Sequence, residues 1–374
     1  MQHKFKKVTA MENTTPNDLT KLAGWRLPSQ DSRGALNDCS LIIATYRRPA
    51  EVIQLLGKID ALADVPGEIV IVDGSPEETL GREARSWGAA RRLRFDLVYV
   101  RSPKGLTLQR NVGIDISTRD FLFYLDDDAA PLEGYFPNMR RAFESRQDRP
   151  VGGVGGSAIN EMDRPINRRW RLRLALGLVP PVEPMIYHDC GTSTPTGRIK
   201  PFTGVRPVDC MPGAGFALRR EVTKTMRFSE FFYGYAYGED IEMALRVKSK
   251  WEVVWSGDAR YEHHQAPGGR PTSFSKGRME VRNRYFIWRR HRPGASLFNR
   301  LRFYSDLAFL FLMDLAWFAV RPWKLHALAH ALGLAAGGVE TLIRPPRFKE
   351  PPARRRYEME SAGQPAMAVA NSNQ

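Results

Sequence analysis

The chain has 374 residues, 43% of them hydrophobic, and a formal net charge of +15. That apolar content supports one large folded unit or two modest ones and excludes a wholly disordered or fibrous protein. Three cysteines, Cys39, Cys190 and Cys210, are too few and too scattered for a disulfide framework or a zinc knuckle, and they fit a reduced compartment.

Residues 1–36 read as an irregular polar leader, with Lys4, Lys6 and Lys7 but no apolar stretch behind them, so no secretory signal is expected there. Ser40–Thr45 is a buried strand. Pro49 suits the first turn of a helix whose apolar stripe is Val52, Ile53, Leu56, Ile59 and Leu62. Glu68–Asp73 and Phe95–Val100 are further strands; a helix carries Leu108, Val112 and Ile116, and Phe121–Asp126 is a fourth strand. Strands separated by helices predict an α/β domain with a mostly parallel central sheet, whose ligands bind beyond the strands' carboxyl ends. Asp73 and Asp126 stand at such ends.

After Asp128 the pattern loosens. Gly152–Gly156 is glycine-rich, and Arg164–Pro207, rich in Pro, Gly and Thr, predicts long loops over the sheet. Glu239–Lys250 is helical and Trp251–Trp255 strand-like. From about Pro267 the chain turns basic and then strongly apolar, and beyond Pro345 a polar tail is expected to be disordered. Leu307–Val320 is almost wholly apolar, but it contains Asp314 and falls short of the ~20 residues of a spanning helix. With the small-residue-rich Leu325–Ile343 it reads as an interfacial helical hairpin, whose Arg300, Arg302, Arg321 and Lys324 would meet anionic headgroups. The alternative is a buried C-terminal helix of the globular fold.

Asp126-Asp127-Asp128 follow a buried strand, and three adjacent carboxylates repel one another unless a cation compensates them. Oxygen ligands without cysteine suit Mg²⁺ or Mn²⁺ rather than zinc. Glu239 and Asp240 fall in the first turn of a helix, where the dipole favours carboxylates, and where one of them could also serve as a base. The aromatic run Phe231–Tyr237 leads into that turn. Its hydroxyl-bearing rings Tyr233, Tyr235 and Tyr237 suit a sugar face, while Phe231 or Phe232 suits the core.

In order and spacing the segments LIIATYRRP (41–49), IVIVDGS (69–75), GLTLQRNVG (105–113), YLDDDAAP (124–131), GAGFALRRE (213–221) and GEDIEMALR (238–246) resemble the family 2 glycosyltransferases. The resemblance runs from about residue 38 to 265 and implies a GT-A fold, a nucleotide-sugar donor, Mn²⁺ or Mg²⁺, and inversion. It implies that Thr45 and Asp73 line the nucleotide pocket and that Arg110 faces the donor diphosphate or holds the pocket. Asp126 or Asp127 would lie near the ribose and donor sugar, and Asp128 would ligate the metal. Asp240 would be the catalytic base with Glu239 beside it, and His263-His264 would stand where some relatives place a metal-ligating histidine. Two departures leave the donor open: a single Asp ends the second strand, and 164–207 matches no family segment.

The expected organisation is a leader at 1–36, a GT-A type catalytic domain at 37–266, a basic and apolar helical region at 267–345 and a disordered tail at 346–374. The expected partners are a nucleotide-sugar donor, a saccharide or lipid-linked acceptor and an anionic membrane surface, and not nucleic acid, whose backbone three Asp residues would repel. The expected location is cytoplasmic, peripheral on the inner face of the cell membrane. The competing readings are a nucleotidyltransferase, which would carry a glycine-rich loop where ATYRRPAEV stands, and a non-catalytic transferase relative.

Overall fold

The computed structural model describes residues 19–145, 148–181, 183–266, 268, 270–348 and 356–361. In chain order the first half holds β1 (Leu19–Leu27), β2 (Ala35–Thr45), α1 (Pro49–Asp60), β3 (Val65–Asp73), α2 (Thr79–Ala89), β4 (Asp96–Arg101), α3 (Leu106–Ile116), β5 (Phe121–Leu125), β6 (Ala129–Pro131) and α4 (Tyr135–Ala142). There follow β7 (Val151–Ala158), α5 (Arg168–Ala175), β8 (Val205–Pro207), β9 (Gly215–Arg219), α6 (Arg220–Thr225), α7 (Glu239–Lys248) and β10 (Glu252–His263). The C-terminal region holds α8 (Ser273–His291), α9 (Leu297–Val320), α10 (Leu325–Ile343) and β11 (Arg356–Ser361).

One 11-stranded sheet runs β11-β1-β4-β3-β2-β5-β9-β7-β10-β6, with β8 on β10. Its centre, β4-β3-β2-β5, is parallel, and β9 then turns antiparallel to both β5 and β7. This is the arrangement the GT-A resemblance implied. The centre reads as continuous apolar runs because both faces are covered. Leu41, Ile43, Ile69, Ile71, Phe121 and Phe123 point to the core shared with α1, α2 and α4. The intervening Ile42, Val70, Val72, Leu122 and Tyr124 point to the opposite core, shared with α3, α6 and α7. Period-two alternation thus feeds two cores from the same strands.

Several sequence expectations are corrected. The leader contributes β1 and the start of β2, and the tail contributes β11, which pairs in parallel with β1 at the sheet edge. Glycine-rich 152–156 is not irregular but lies within the fully buried β7. The stretch 164–207 holds a helix, α5, capped by the Asn167 side chain accepting from the Trp170 amide. The run 307–320 is only part of α9, whose 24 residues make it long and apolar enough by length and composition to cross a membrane, and with only 17% of its apolar window buried it is not a core helix. The second apolar segment matches α10 at both ends.

Candidate active site

A cavity of about 740 Å³ opens at the carboxyl ends of β2 and β5, walled by the first turns of α3 and α7, the loop after β10 and the start of α8. The parallel strands end here together, so their last residues and the loops beyond them converge. The Thr45 hydroxyl donates to Asp127 Oδ2 at 2.7 Å, and Arg48 Nη1 pairs with Asp127 Oδ1 at 2.6 Å. Burial raises the Asp127 carboxyl to about 6, although Thr45 and Arg48 pull the other way.

The three aspartates do three different things. Asp127 is tied to Thr45 and Arg48. Asp126 is raised by burial and faces the Arg110 guanidinium at 3.3 Å. Asp128 accepts from the Ala266 amide at 2.7 Å and lies 3.4 Å from His263 Nε2; despite burial, that imidazole and amide hold its carboxyl below the usual range. The pairing of β6 with the end of β10, Ala129 opposite His263, is what carries the histidine to the aspartate. Burial opposes a proton on His263, but hydrogen bonding to Asp128 and to Glu161, at 3.0 Å, wins and raises it to about 10.

Ligand atoms of Asp126, Asp128 and His263 all lie within 4.8 Å of one another. Two carboxylates and one imidazole without a thiolate fit a divalent cation of the Mn²⁺ or Mg²⁺ type. The other histidine stands apart: His264 Nε2 lies 3.2 Å from Lys58 Nζ and 3.9 Å from Glu262.

Across the cavity α7 follows directly on Gly238, whose left-handed φ of +88° makes the tight turn into the helix. Glu239 is buried against Arg110 Nη1 at 2.5 Å, and Asp240 Oδ1 accepts from the Ile241 amide at 2.9 Å. Burial raises both carboxyls, and the Arg110 charge opposes it. Arg110 also donates to the Gly213 carbonyl at 2.9 Å and lies over the Phe216 ring, 5.1 Å from its centroid. Gly213 leaves room for Asp240, since a Cβ there would come within 2.8 Å of Asp240 Oδ2 and push that carboxylate aside. The GAGF segment is therefore the floor under Asp240.

Residues 40–226, half of the chain, match the family description "Glycosyl transferase family 2". The chain belongs to glycosyl transferase family 2. A stretch of 89 residues is 33% identical to the succinoglycan biosynthesis protein ExoM of Rhizobium meliloti, covering 23% of this chain and 28% of that protein. Among solved structures, the mannosyltransferase PcManGT of Pyrobaculum calidifontis, in complex with GDP-Man and Mn²⁺, is 15% identical, with 86% of this chain and 90% of that one covered and a TM-score of 0.48. The glucosyl-3-phosphoglycerate synthase of Mycobacterium tuberculosis, in complex with Mn²⁺, UDP and phosphoglyceric acid, is 14% identical, with 62% and 72% covered and a TM-score of 0.38.

In this family 2 chain the cavity brings together Thr45, Arg110, Asp126, Asp127, Asp128, Glu239, Asp240, His263, Tyr233, Tyr235 and Tyr237, all expected from sequence. Asp73 is not among them. It lines a separate cavity of about 370 Å³ with Arg47, Ser75 and Glu77, and its carboxylate accepts from the Ser75 amide at 2.8 Å and the Tyr99 hydroxyl at 3.0 Å. Arg110 spans the two carboxylate groups and holds the pocket together. The three tyrosines are exposed around the mouth, while Phe232 is fully buried and Phe231 stacks on Phe286 at 3.9 Å.

Sequence reasoning missed Arg48, Gln109 and Glu161. Arg48 is the second arginine of ATYRRP, and only the fold turns it onto the aspartates. Gln109 stands in the GLTLQRN segment. Its buried amide donates to the Thr45 carbonyl at 2.7 Å and the Val72 carbonyl at 2.9 Å, tying the ends of β2 and β3. Glu161 carries no local sequence signal.

Proposed function

We propose that this family 2 member moves a glycosyl group from a nucleoside-diphosphate sugar to an acceptor hydroxyl with inversion at the anomeric carbon. The carrying observation is the meeting, in one cavity, of the Asp126–Asp128–His263 cluster with Glu239 and Asp240. Asp126, Asp128 and His263 would hold a Mn²⁺ or Mg²⁺ ion, which when bound supplies positive charge for the diphosphate. Asp240 takes the acceptor's proton as the acceptor oxygen bonds to the anomeric carbon from one side. On the other side the bond to the diphosphate breaks, and its electron pair leaves with the nucleoside diphosphate. No covalent enzyme intermediate is needed, so the configuration inverts.

Two opposing influences suit Asp240 to this task. Burial raises its basicity, while the Ile241 amide and the Arg110 charge at the amino end of α7 favour its ionised form. Glu239, clamped by Arg110, positions the turn. Tyr233, Tyr235 and Tyr237 supply a face for an acceptor sugar. The relative named for succinoglycan biosynthesis supports a role in polysaccharide or glycolipid synthesis. The basic flanks and exposed apolar side chains of α9 and α10 support a cytoplasmic, membrane-peripheral site of action with a saccharide or lipid-linked acceptor.

The test is thermal stabilisation by UDP and GDP with and without Mn²⁺, since a ligand of the native state adds stability as RT ln(1 + [L]/Kd). At least one nucleotide should raise the melting temperature more with Mn²⁺ than without. The Asp128→Ala variant should lose that increment and keep its circular dichroism. An equal nucleotide shift in parent and variant would remove Asp128 from the metal site.

A further inference from the structure

A helix of a soluble fold turns charge outward and buries its apolar stripe. In α9 apolar side chains face both ways: Phe303 and Leu310 are buried beside a charged residue, while others stand outward. Its inner face carries Asp306, 1% exposed, which accepts a bidentate pair from Arg173 at 2.7 Å and a third contact from Arg284 at 2.7 Å. One step further, Asp314 pairs with His330 of α10 at 2.6 Å. Its outer face carries Leu297, Leu301, Tyr304, Leu312 and Val320, each more than half exposed and spaced as one side of a helix. On α10 the outer side is likewise apolar, with Leu325, Leu332, Val339 and Leu342 exposed at 67%, 52%, 55% and 82%. Trp317 in the last turn of α9 and Trp323 in the turn that follows are both exposed beside Arg321 and Lys324.

Length alone would let α9 cross a bilayer, but its packing forbids it. The inner side of α10 lies against α8, where Gly277 meets the His330 carbonyl and Gly333 meets the Phe274 carbonyl so closely that a Cβ on either would collide. Phe286 and Ile287 of α8 belong to the catalytic core, and Ser275 and Met279 line the active-site cavity. A spanning hairpin would draw α8, with Arg278, Glu280, Arg282 and Arg284, into hydrocarbon. A hairpin lying flat keeps these charges in protein and turns a mostly apolar face outward. Arg300, Arg321, Lys324, Arg344 and Arg347 rim it with positive charge, complementary to an anionic surface.

The geometry points to an in-plane docking surface for an anionic bilayer, formed by the outer faces of α9 and α10 together. It deepens the membrane-peripheral reading above and does not depend on sugar transfer. Through α8 it sets the cavity beside the membrane plane.

The test is flotation of the full-length protein with vesicles of phosphatidylcholine alone or mixed with equal phosphatidylglycerol. The protein should float with the anionic vesicles and be released by alkaline carbonate. A Leu301→Glu/Leu312→Glu/Leu332→Glu variant should lose at least about tenfold in vesicle affinity while keeping its circular dichroism. A second variant, Arg321→Glu/Lys324→Glu, should weaken binding to anionic vesicles and leave the apolar faces intact. Solubility with both vesicle types, or undiminished flotation of the leucine variant, would overturn the proposal. So would retention through carbonate, which means a span, or a lipid-free dimer dissolved by the leucine variant, which means a second copy covers this face. The nucleotide melting shift is read on the same samples. If it is absent while flotation behaves as expected, the transferase reading fails and the docking surface stands.

Discussion

Arg110 shows how one residue serves both fold and site. It is 2% exposed and faces Glu239, Asp126 and the Gly213 carbonyl together. Removing one partner of a buried ionic group is strongly destabilising, because the remaining charges lose their compensation. Arg110→Met should therefore cost about 3–5 kcal/mol in urea unfolding and abolish nucleotide binding. A loss below about 1 kcal/mol would mean that the guanidinium contributes only as an exposed pair does. At this scale the sequence was informative where a side chain stands just beyond a strand or in the first turn of a helix, as Asp128 and Asp240 do in the cavity. It was silent where a partner arrives from far along the chain. Arg48 reaches Asp127 from 79 positions away, and Glu161 reaches His263 from 102.

Elements were legible where periodicity was strong and the boundary chemistry plain. Central β2 and β3 are apolar runs ending in Thr45 and Asp73, β5 is an apolar run just before Asp126, and α10 is a small-residue helix whose leucines and alanines keep the helical period through its glycines. β7 was hidden because its glycines suppress the apolar signal, although its backbone is wholly buried between β9 and β10. The length of β10 was also hidden, since polar Ser256, Asp258 and Arg260 interrupt it on the way to His263.

The α9–α10 contact has its own pH dependence. Hydrogen bonds to Asp314 and Glu280 raise His330 to about 9, against an ordinary value near ~6.5. A folded-state value above the unfolded one gives stability that is complete below about pH 6.5 and is lost as pH rises through about 9. Urea midpoints of the parent and His330→Gln should differ most near pH 6 and converge by about pH 9.5. A difference that is constant across that range would assign the histidine a packing role only.

At the scale of the whole molecule, the order of six weak motifs identified the fold better than any one of them, because each marks a strand end or helix start in the same sheet. The edges escaped that logic. β1 and β11 join distant parts of the chain, Leu19–Gly24 beside Arg356–Ser361, and no local pattern announces such a pairing. Basic charge alone likewise does not choose a partner; the apolar side chains exposed on α9 and α10 are what support the membrane surface proposed above.

In the proposed reaction Asp240 takes the acceptor's proton during transfer from a nucleotide sugar. The most direct test of that role is nucleoside-diphosphate release from a panel of nucleotide sugars with Mn²⁺ and a membrane extract as acceptor source, comparing the parent with Asp240→Asn. At least one donor should be turned over by the parent, and the variant should bind the same nucleotide but react about 10²-fold or more slowly. Turnover by Asp240→Asn within a few-fold of the parent would contradict that role.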